Sequence, residues 1–92
     1  MEIRGQIHVL KSDMGKENER WPYLVSFYPL QGVGPVPHRT CHGLDELRRF
    51  LGEYLDIQGD ELDRTLKEAE QWKPHSLELI ANRDRLQECG LI

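Results

Sequence analysis

Residues 41–55, with the sequence CHGLDELRRFLGEYL, contain the point at which the chain changes its hydrophobic period. After Gly43 the apolar side chains recur every three or four residues, whereas before it they alternate with polar ones. The first spacing places side chains on one side of a helix, and alternation places them on one face of a strand. The chain is therefore predicted to be an α+β domain, with strands before Gly43 and mainly helices after it.

The helix that starts near Leu44 has an apolar stripe and a charged opposite face. Acidic residues in its first turn complement the partial positive charge of a helix N-terminus. A second helix is predicted from a cap at Asp60 to Trp72, because Pro74 prevents its continuation. Two helices joined by a few residues are expected to pack antiparallel. The stripe of the first helix comprises Leu44, Leu47, Phe50, Leu51, Tyr54 and Leu55.

Two strands are predicted upstream of Gly43, at residues 2–10 and 21–28. Gly5 falls on the inward-facing row of the first strand, where a missing side chain indicates a bulge or the close approach of an aromatic ring. The polar segment between the strands predicts an antiparallel hairpin with a long loop. Glycines and prolines in residues 30–42 restrict any further strand to a short edge segment near residues 36–40.

Residues 76–81 fit both periods. They alternate as in a strand, but Leu77, Ile80 and Ala81 also fit one helical turn. We interpret the segment as a strand, because Asn82 then offers a cap for a last short helix that ends at Gly90. The predicted architecture is a β-hairpin or small three-stranded sheet packed against an antiparallel helix pair. These two layers form a single domain over residues 1–92.

The composition is that of a small globular protein with a well-solvated surface. The chain has 92 residues, of which 38% are hydrophobic and 30% charged, and no apolar stretch is long enough to cross a bilayer. Its first twenty residues lack the apolar core of a signal peptide. Two cysteines are too few for a secreted disulfide framework. We therefore expect a cytoplasmic location, no membrane partner, and reduced thiols at Cys41 and Cys89.

A basic region between His38 and Arg49 raises the question of nucleic-acid binding. The net charge of −4 argues against tight nonspecific binding. His38, Arg39, Arg48 and Arg49 could nevertheless contact phosphates, with Tyr28 as a stacking aromatic. A nucleic-acid-associated regulator is therefore kept as an alternative function, although the charge makes nucleic acid the less favoured partner.

The sequence HRTCH at residues 38–42 brings imidazole and thiol ligands close together. A structural zinc site requires four ligands, usually as two spaced pairs, and the other histidines and Cys89 lie elsewhere in the chain. Cys41 lies near a predicted helix N-terminus, which can lower a thiol pKa, but no third group or oxyanion-hole loop accompanies it. We predict no catalytic residue, metal or cofactor, and keep a small metal- or thiol-dependent enzyme as a further alternative.

The outward face of the second strand is less polar than a solvent-facing strand usually is. Leu24 and Tyr28 lie on this face, and a protein partner or a second copy of the chain could cover them. The segment containing His38 and Arg39 is a second candidate contact. Our first hypothesis is a noncatalytic protein-interaction or regulatory domain, with a homodimer as its simplest form.

Three short segments resemble a known family. Residues 23–27 (YLVSF), 29–32 (PLQG) and 44–47 (LDEL) are similar to the strand, proline-glycine turn and helix of the HicB-type antitoxin domain. The resemblance covers less than half of the chain. Leu30 and Val33 stand where that family usually has an acidic residue and a cysteine, so we transfer no function from it.

Overall fold

A computed structural model of the chain describes residues 2–12, 21–32 and 36–92. Within them, four strands form one antiparallel sheet and three helices form a second layer. The strands are β1 (Glu2–Lys11), β2 (Pro22–Pro29), β3 (His38–His42) and β4 (His75–Asn82), and the helices are α1 (Leu44–Leu55), α2 (Gly59–Glu70) and α3 (Arg83–Glu88). The prediction of a two-layer α+β fold is confirmed, and the sheet extends to four strands.

The sheet has the strand order β3-β2-β1-β4, so the first strand of the chain is central. Ile7 of β1 lies opposite Phe27 of β2 on one side and opposite Leu77 of β4 on the other. This register places the odd-numbered residues of the three strands on one face, and that face carries the hydrophobic core. The alternation in the sequence thus corresponds to one buried and one solvent-facing side of the sheet.

The helices cover the odd-numbered face with the apolar side chains that the sequence periodicity identified. Leu47 and Leu51 of α1 are completely buried, and Leu66 and Ala69 of α2 lie in the same core. In the described ranges, no helix is long and apolar enough to cross a membrane. The core side chains of the helices are Leu47, Phe50, Leu51, Leu55, Leu62, Leu66, Ala69 and Leu86.

The predicted cap of α2 is wrong. The helix starts at Gly59, with Gln58 as N-cap and no capping hydrogen bond from a side chain. Asp60 lies instead in the first turn, where its charge complements the helix dipole. The helix also ends at Glu70, two residues earlier than predicted, and Trp72 follows with a positive φ of 64°.

The predicted C-terminal strand and Asn82-capped helix are confirmed, although α3 ends at Glu88, one residue before Cys89. The segment that fitted both periods is β4, and the Asn82 side chain caps α3 by accepting hydrogen bonds from the backbone N–H groups of Asp84 (2.9 Å) and Arg85 (3.3 Å). The predicted edge strand also forms, but β3 begins at His38 and ends at His42. It starts after Pro37, which has no backbone N–H to donate to a neighbouring strand.

Gly5 permits close packing between β1 and β2. A Cβ atom at this position would lie 2.4 Å from the Tyr28 carbonyl oxygen and 2.7 Å from Cζ of the Phe27 ring. The predicted approach of an aromatic ring from a neighbouring strand is therefore what occurs. Because one of the two obstacles is backbone, a side chain here can be accommodated only if the β1–β2 pair shifts.

We expect Gly5→Ala to lower the free energy of unfolding by about 1–3 kcal/mol, the usual cost of overpacking. The matched control is Gly52→Ala in α1, where the new Cβ would meet nothing closer than the Ile57 carbonyl oxygen at 3.9 Å. That substitution should stabilise the chain by about 0.5–1 kcal/mol, since alanine is the better helix former. Urea denaturation of both variants measures the two changes in the free energy of unfolding. If both variants were stabilised, or both destabilised, the packing argument would be contradicted.

Candidate functional site

The candidate site is the face of the sheet formed by the even-numbered residues of its strands, which we call the open face. In the described part of the chain, the three helices pack on the opposite face. The open face exposes three large apolar side chains, with exposed fractions of 40% for Leu10, 44% for Tyr28 and 50% for Ile80. Leu24 is half-buried beside Leu10, and Tyr28 and Ile80 lie toward the other end of this face. Apolar groups on a helix-free sheet face are typical of a surface that another molecule covers.

Leu24 lies in a row that crosses three strands. Leu10 of β1 is its partner on one side and Thr40 of β3 is its partner on the other. Side chains in directly opposite positions of an antiparallel pair are close enough to pack together. The half-burial of Leu24 thus results from its neighbours within the sheet, and a leucine pair remains at the surface.

Tyr28 forms the second part of the open face together with His8. The two rings are T-shaped, with centroids 4.5 Å apart and planes at 63°. His8 also lies 3.4 Å from the Ser76 hydroxyl through Nδ1 and 3.4 Å from the Gln6 carboxamide oxygen through Nε2. The aromatic pair is therefore surrounded by hydrogen-bonding groups, as is usual in interfaces that also exist exposed to water.

The structure divides the residues predicted for protein binding between the two faces. Leu24, Tyr28 and His38 lie on the open face, with His38 opposite Ser26 at the β3 edge. Arg39 points to the helix side, where Nη1 donates a hydrogen bond of 3.1 Å to the Cys89 carbonyl and the guanidinium lies 5.2 Å from the Phe50 ring centroid. Arg39 thus connects β3 to the segment that contains Cys89. It does not share a surface with Leu24, Tyr28 and His38.

Sequence reasoning missed Leu10 and Ile80 as members of the open face. Both are at even positions of their strands: Leu10 pairs directly with Leu24, whereas Ile80 pairs with Arg4 and lies on the other side of β1 from Tyr28. The alternation of side chains along β1 and β4 indicates the face of the sheet to which Leu10 and Ile80 point. The contact of Leu10 with Leu24 and the position of Ile80 on the far side of β1 depend on the register, which the sequence alone leaves open.

The residues of the predicted basic region do not form one continuous surface. Arg48 makes an exposed salt bridge of 3.4 Å with Asp63 of α2. Arg39 and Arg49 line a cleft of about 200 Å³ on the helix side, together with Glu46 and Glu53. The two carboxylates offset the two guanidinium charges there. A phosphate backbone would meet a neutral cleft, not the concentrated positive charge that such contacts require.

The two thiols are buried core groups. Cys41 is 1% exposed, and its burial, followed by the charge of Glu46, raises its pKa to about 12. Burial also raises the pKa of Cys89. Nucleophilic and metal-binding cysteines need the opposite shift, because the thiolate is the reactive form. Within the described ranges, no three His, Cys, Asp or Glu side chains come together in a way that could hold a metal ion.

His75, a scattered candidate ligand in the sequence, has a structural contact instead. Its Nδ1 contacts the Glu68 carboxylate, and this contact joins the start of β4 to α2. Its Nε2 atom is buried without a hydrogen-bond partner in the structure. The pair connects the two layers at one end of the sheet.

The raised pKa of Cys41 makes the stability of the fold depend on alkaline pH. The ordinary thiol pKa is 9.0 and the folded value is about 12, so on raising the pH the unfolded chain releases the proton first. The stability that the buried, neutral thiol contributes is complete below pH 9.0, and it is lost progressively as the pH rises from 9.0 to about 12. In that window the free energy of unfolding should fall by up to about 1.4 kcal/mol per pH unit.

A comparison of the wild-type chain with Cys41→Ala isolates this effect from other titrations. We expect the stability difference between the two proteins to shrink as the pH rises from about 9 to about 10.5, with the slope given above. Urea denaturation at several pH values measures it. A difference that stays constant over this range would show that Cys41 ionises equally well in both states.

No protein family model matches this chain, and comparison with curated proteins and with solved structures yields no match. The function is therefore argued from the geometry of the site.

Proposed function

We propose that the chain is a noncatalytic interaction domain that self-associates through the open face. The observation that carries this proposal is that the helix-free face exposes Leu10, which packs beside the half-buried Leu24, and exposes Tyr28 and Ile80 toward its other end. The other face of the same sheet already lies beneath the helices. Removing the remaining apolar area from water is favourable, and a second copy of the chain supplies a surface of the same kind.

The size of the open face indicates how strong this association is. Strands lie about 4.8 Å apart and rise about 3.3 Å per residue, so four strands of this length present a plane of roughly 500 Å². Stable complexes bury about 800 Å² on each partner. A face-to-face dimer of this size lies at the small end of specific interfaces, and we expect it to form reversibly.

The charges on the open face are compatible with a two-fold dimer. Arg4 lies opposite Ile80 and Glu78 lies opposite Gln6, so both signs are present on the same face of neighbouring strands. In an isologous interface each group meets a symmetry-related set of side chains, so the arginine of one copy can approach the glutamate of the other. A face with one sign of charge would repel its own copy.

The two alternative functions have weaker geometric support. The arginines of the basic region are paired with carboxylates or turned into the helix side, and the thiols are buried with raised pKa values. Binding of single-stranded DNA that weakens with salt and with Arg48→Glu would favour the nucleic-acid alternative. Zinc bound stoichiometrically in untagged protein and lost in Cys41→Ser would favour the metal-dependent alternative.

Sedimentation equilibrium at increasing micromolar concentrations tests the proposed dimer. We expect the wild-type chain to approach twice its monomer mass, and Tyr28→Arg to weaken dimerisation by about tenfold or more, because it places a charge in the apolar patch. The matched control is Ile92→Arg, which changes another exposed apolar residue, 41% exposed, beyond α3. It should dimerise like the wild type.

Two results would contradict the proposal. A wild-type chain that stays monomeric at the highest concentration has no self-association to explain. Equal weakening by Tyr28→Arg and Ile92→Arg would show that any contact between copies does not use the open face.

A further inference from the structure

A second surface feature lies at the end of the sheet where β1 ends and β2 begins. The rings of Trp21 and Trp72 meet there nearly at a right angle, with centroids 5.2 Å apart and planes at 78°. We call this pair the tryptophan corner. It contains both tryptophans of the chain. Two perpendicular indole rings form two walls of the kind that enclose a cation in aromatic cages.

The tryptophan corner already holds an ammonium group from the same chain. Nζ of Lys11 lies 4.7 Å from the Trp72 ring centroid and 5.2 Å from the Trp21 ring centroid. It also lies 3.4 Å from the Glu70 carbonyl oxygen, at the long limit of a hydrogen bond. The position of Nζ marks a point where a cation lies near both indole rings. Because its hydrogen bond to Glu70 is long, another cation can displace the Lys11 ammonium from this point.

A cleft of about 460 Å³ adjoins the tryptophan corner. Lys11 and Trp21 line it, together with the start of α1 and the end of α2. Asp45 and Glu70 contribute two carboxylates against the single ammonium of Lys11, so the lining has a formal charge of −1. The cleft therefore favours a further cation over an anion. Its lining residues are Lys11, Trp21, Tyr23, Gly43, Leu44, Asp45 and Glu70.

We propose that the tryptophan corner and its cleft bind a methylated ammonium group, carried by a small quaternary amine or by a trimethylated lysine side chain. Lys11 is the internal occupant that the ligand displaces. A lysine ammonium is compact and strongly hydrated, so it regains much of its solvation on leaving. A quaternary ammonium has no N–H groups to hydrate, and aromatic faces recognise it well.

This site is independent of the self-association proposed above. The tryptophan corner is built from the end of β1, the residue before β2 and the residues after α2, whereas the open face is centred on Leu24 and Tyr28. Loss of either activity leaves the other in place. Tyr28→Arg is accordingly a control here, with cation binding expected to remain at the wild-type level.

Intrinsic fluorescence of the full chain tests the proposal, since every indole that emits belongs to the corner. We expect a saturable change on titration with choline that an equal concentration of sodium chloride does not produce. Parallel titrations use a peptide containing trimethyl-lysine and the same peptide unmodified. Tighter binding of the modified peptide than of choline assigns the ligand to a protein side chain, and the reverse assigns it to a small amine.

Three variants separate cation–π recognition from simple apolar contact. Lys11→Ala removes the internal occupant and should tighten choline binding by about threefold or more. Trp72→Phe should weaken it, and Trp72→Leu should weaken it by about tenfold or more, because indole is the strongest aromatic partner and leucine has no ring. Circular dichroism confirms that each variant is folded.

The proposal is overturned if neither the wild type nor Lys11→Ala responds saturably to choline or to the modified peptide. It is also overturned if Trp72→Leu binds as tightly as the wild type, or if the unmodified peptide binds measurably and as tightly as the trimethylated one.

Discussion

The structure depends on covering one face of a four-stranded sheet with three short helices. The helices have 12, 12 and 6 residues, and their apolar sides all pack on the odd-numbered face of the sheet. Phe27, Ile7 and Leu47 are completely buried between the layers, and each such side chain contributes about 1.5–3 kcal/mol relative to exposure. The other sheet face has no counterpart among the described elements. The surface proposed for association thus results from how little helix the described residues contain.

β1 connects the three parts of the molecule discussed above. Ile7 points into the core, His8 and Leu10 lie on the open face, and Lys11 reaches the tryptophan corner. Successive side chains of a strand point to opposite faces of the sheet, which separates Ile7 from His8 and Leu10. Lys11 is the last residue of β1, and its side chain extends beyond the edge of the core. Since β1 is paired on both sides, its register fixes the positions of all these groups together.

Much of the fold could be predicted, because the apolar residues of the sequence follow regular strand and helix periods. The composition of the open face and of the tryptophan corner could not be predicted. The alternation before Gly43, the stripe of α1 and the Asn82 cap are local signals, and the structure contains all three. Arg39 is different, because its direction depends on which residues of a five-residue edge strand pair with β2. Trp72 is the predicted last residue of the second helix, whereas in the structure α2 ends at Glu70. The last turn of a helix is where periodicity is least informative, and here α2 ends before it.

The pairing of β1 with β4 has a consequence for how the chain is made. Ile7 lies opposite Leu77, so the central strand obtains its second neighbour only from residues near the other end. Of the four described strands, β1 leaves the ribosome before the others, and one of its edges stays without its β4 partner until the intervening helices have been translated. Topologies dominated by such distant pairings fold slowly and expose strand edges to other nascent chains in the meantime. The β1–β4 pair can therefore close only after the helical segment has been translated.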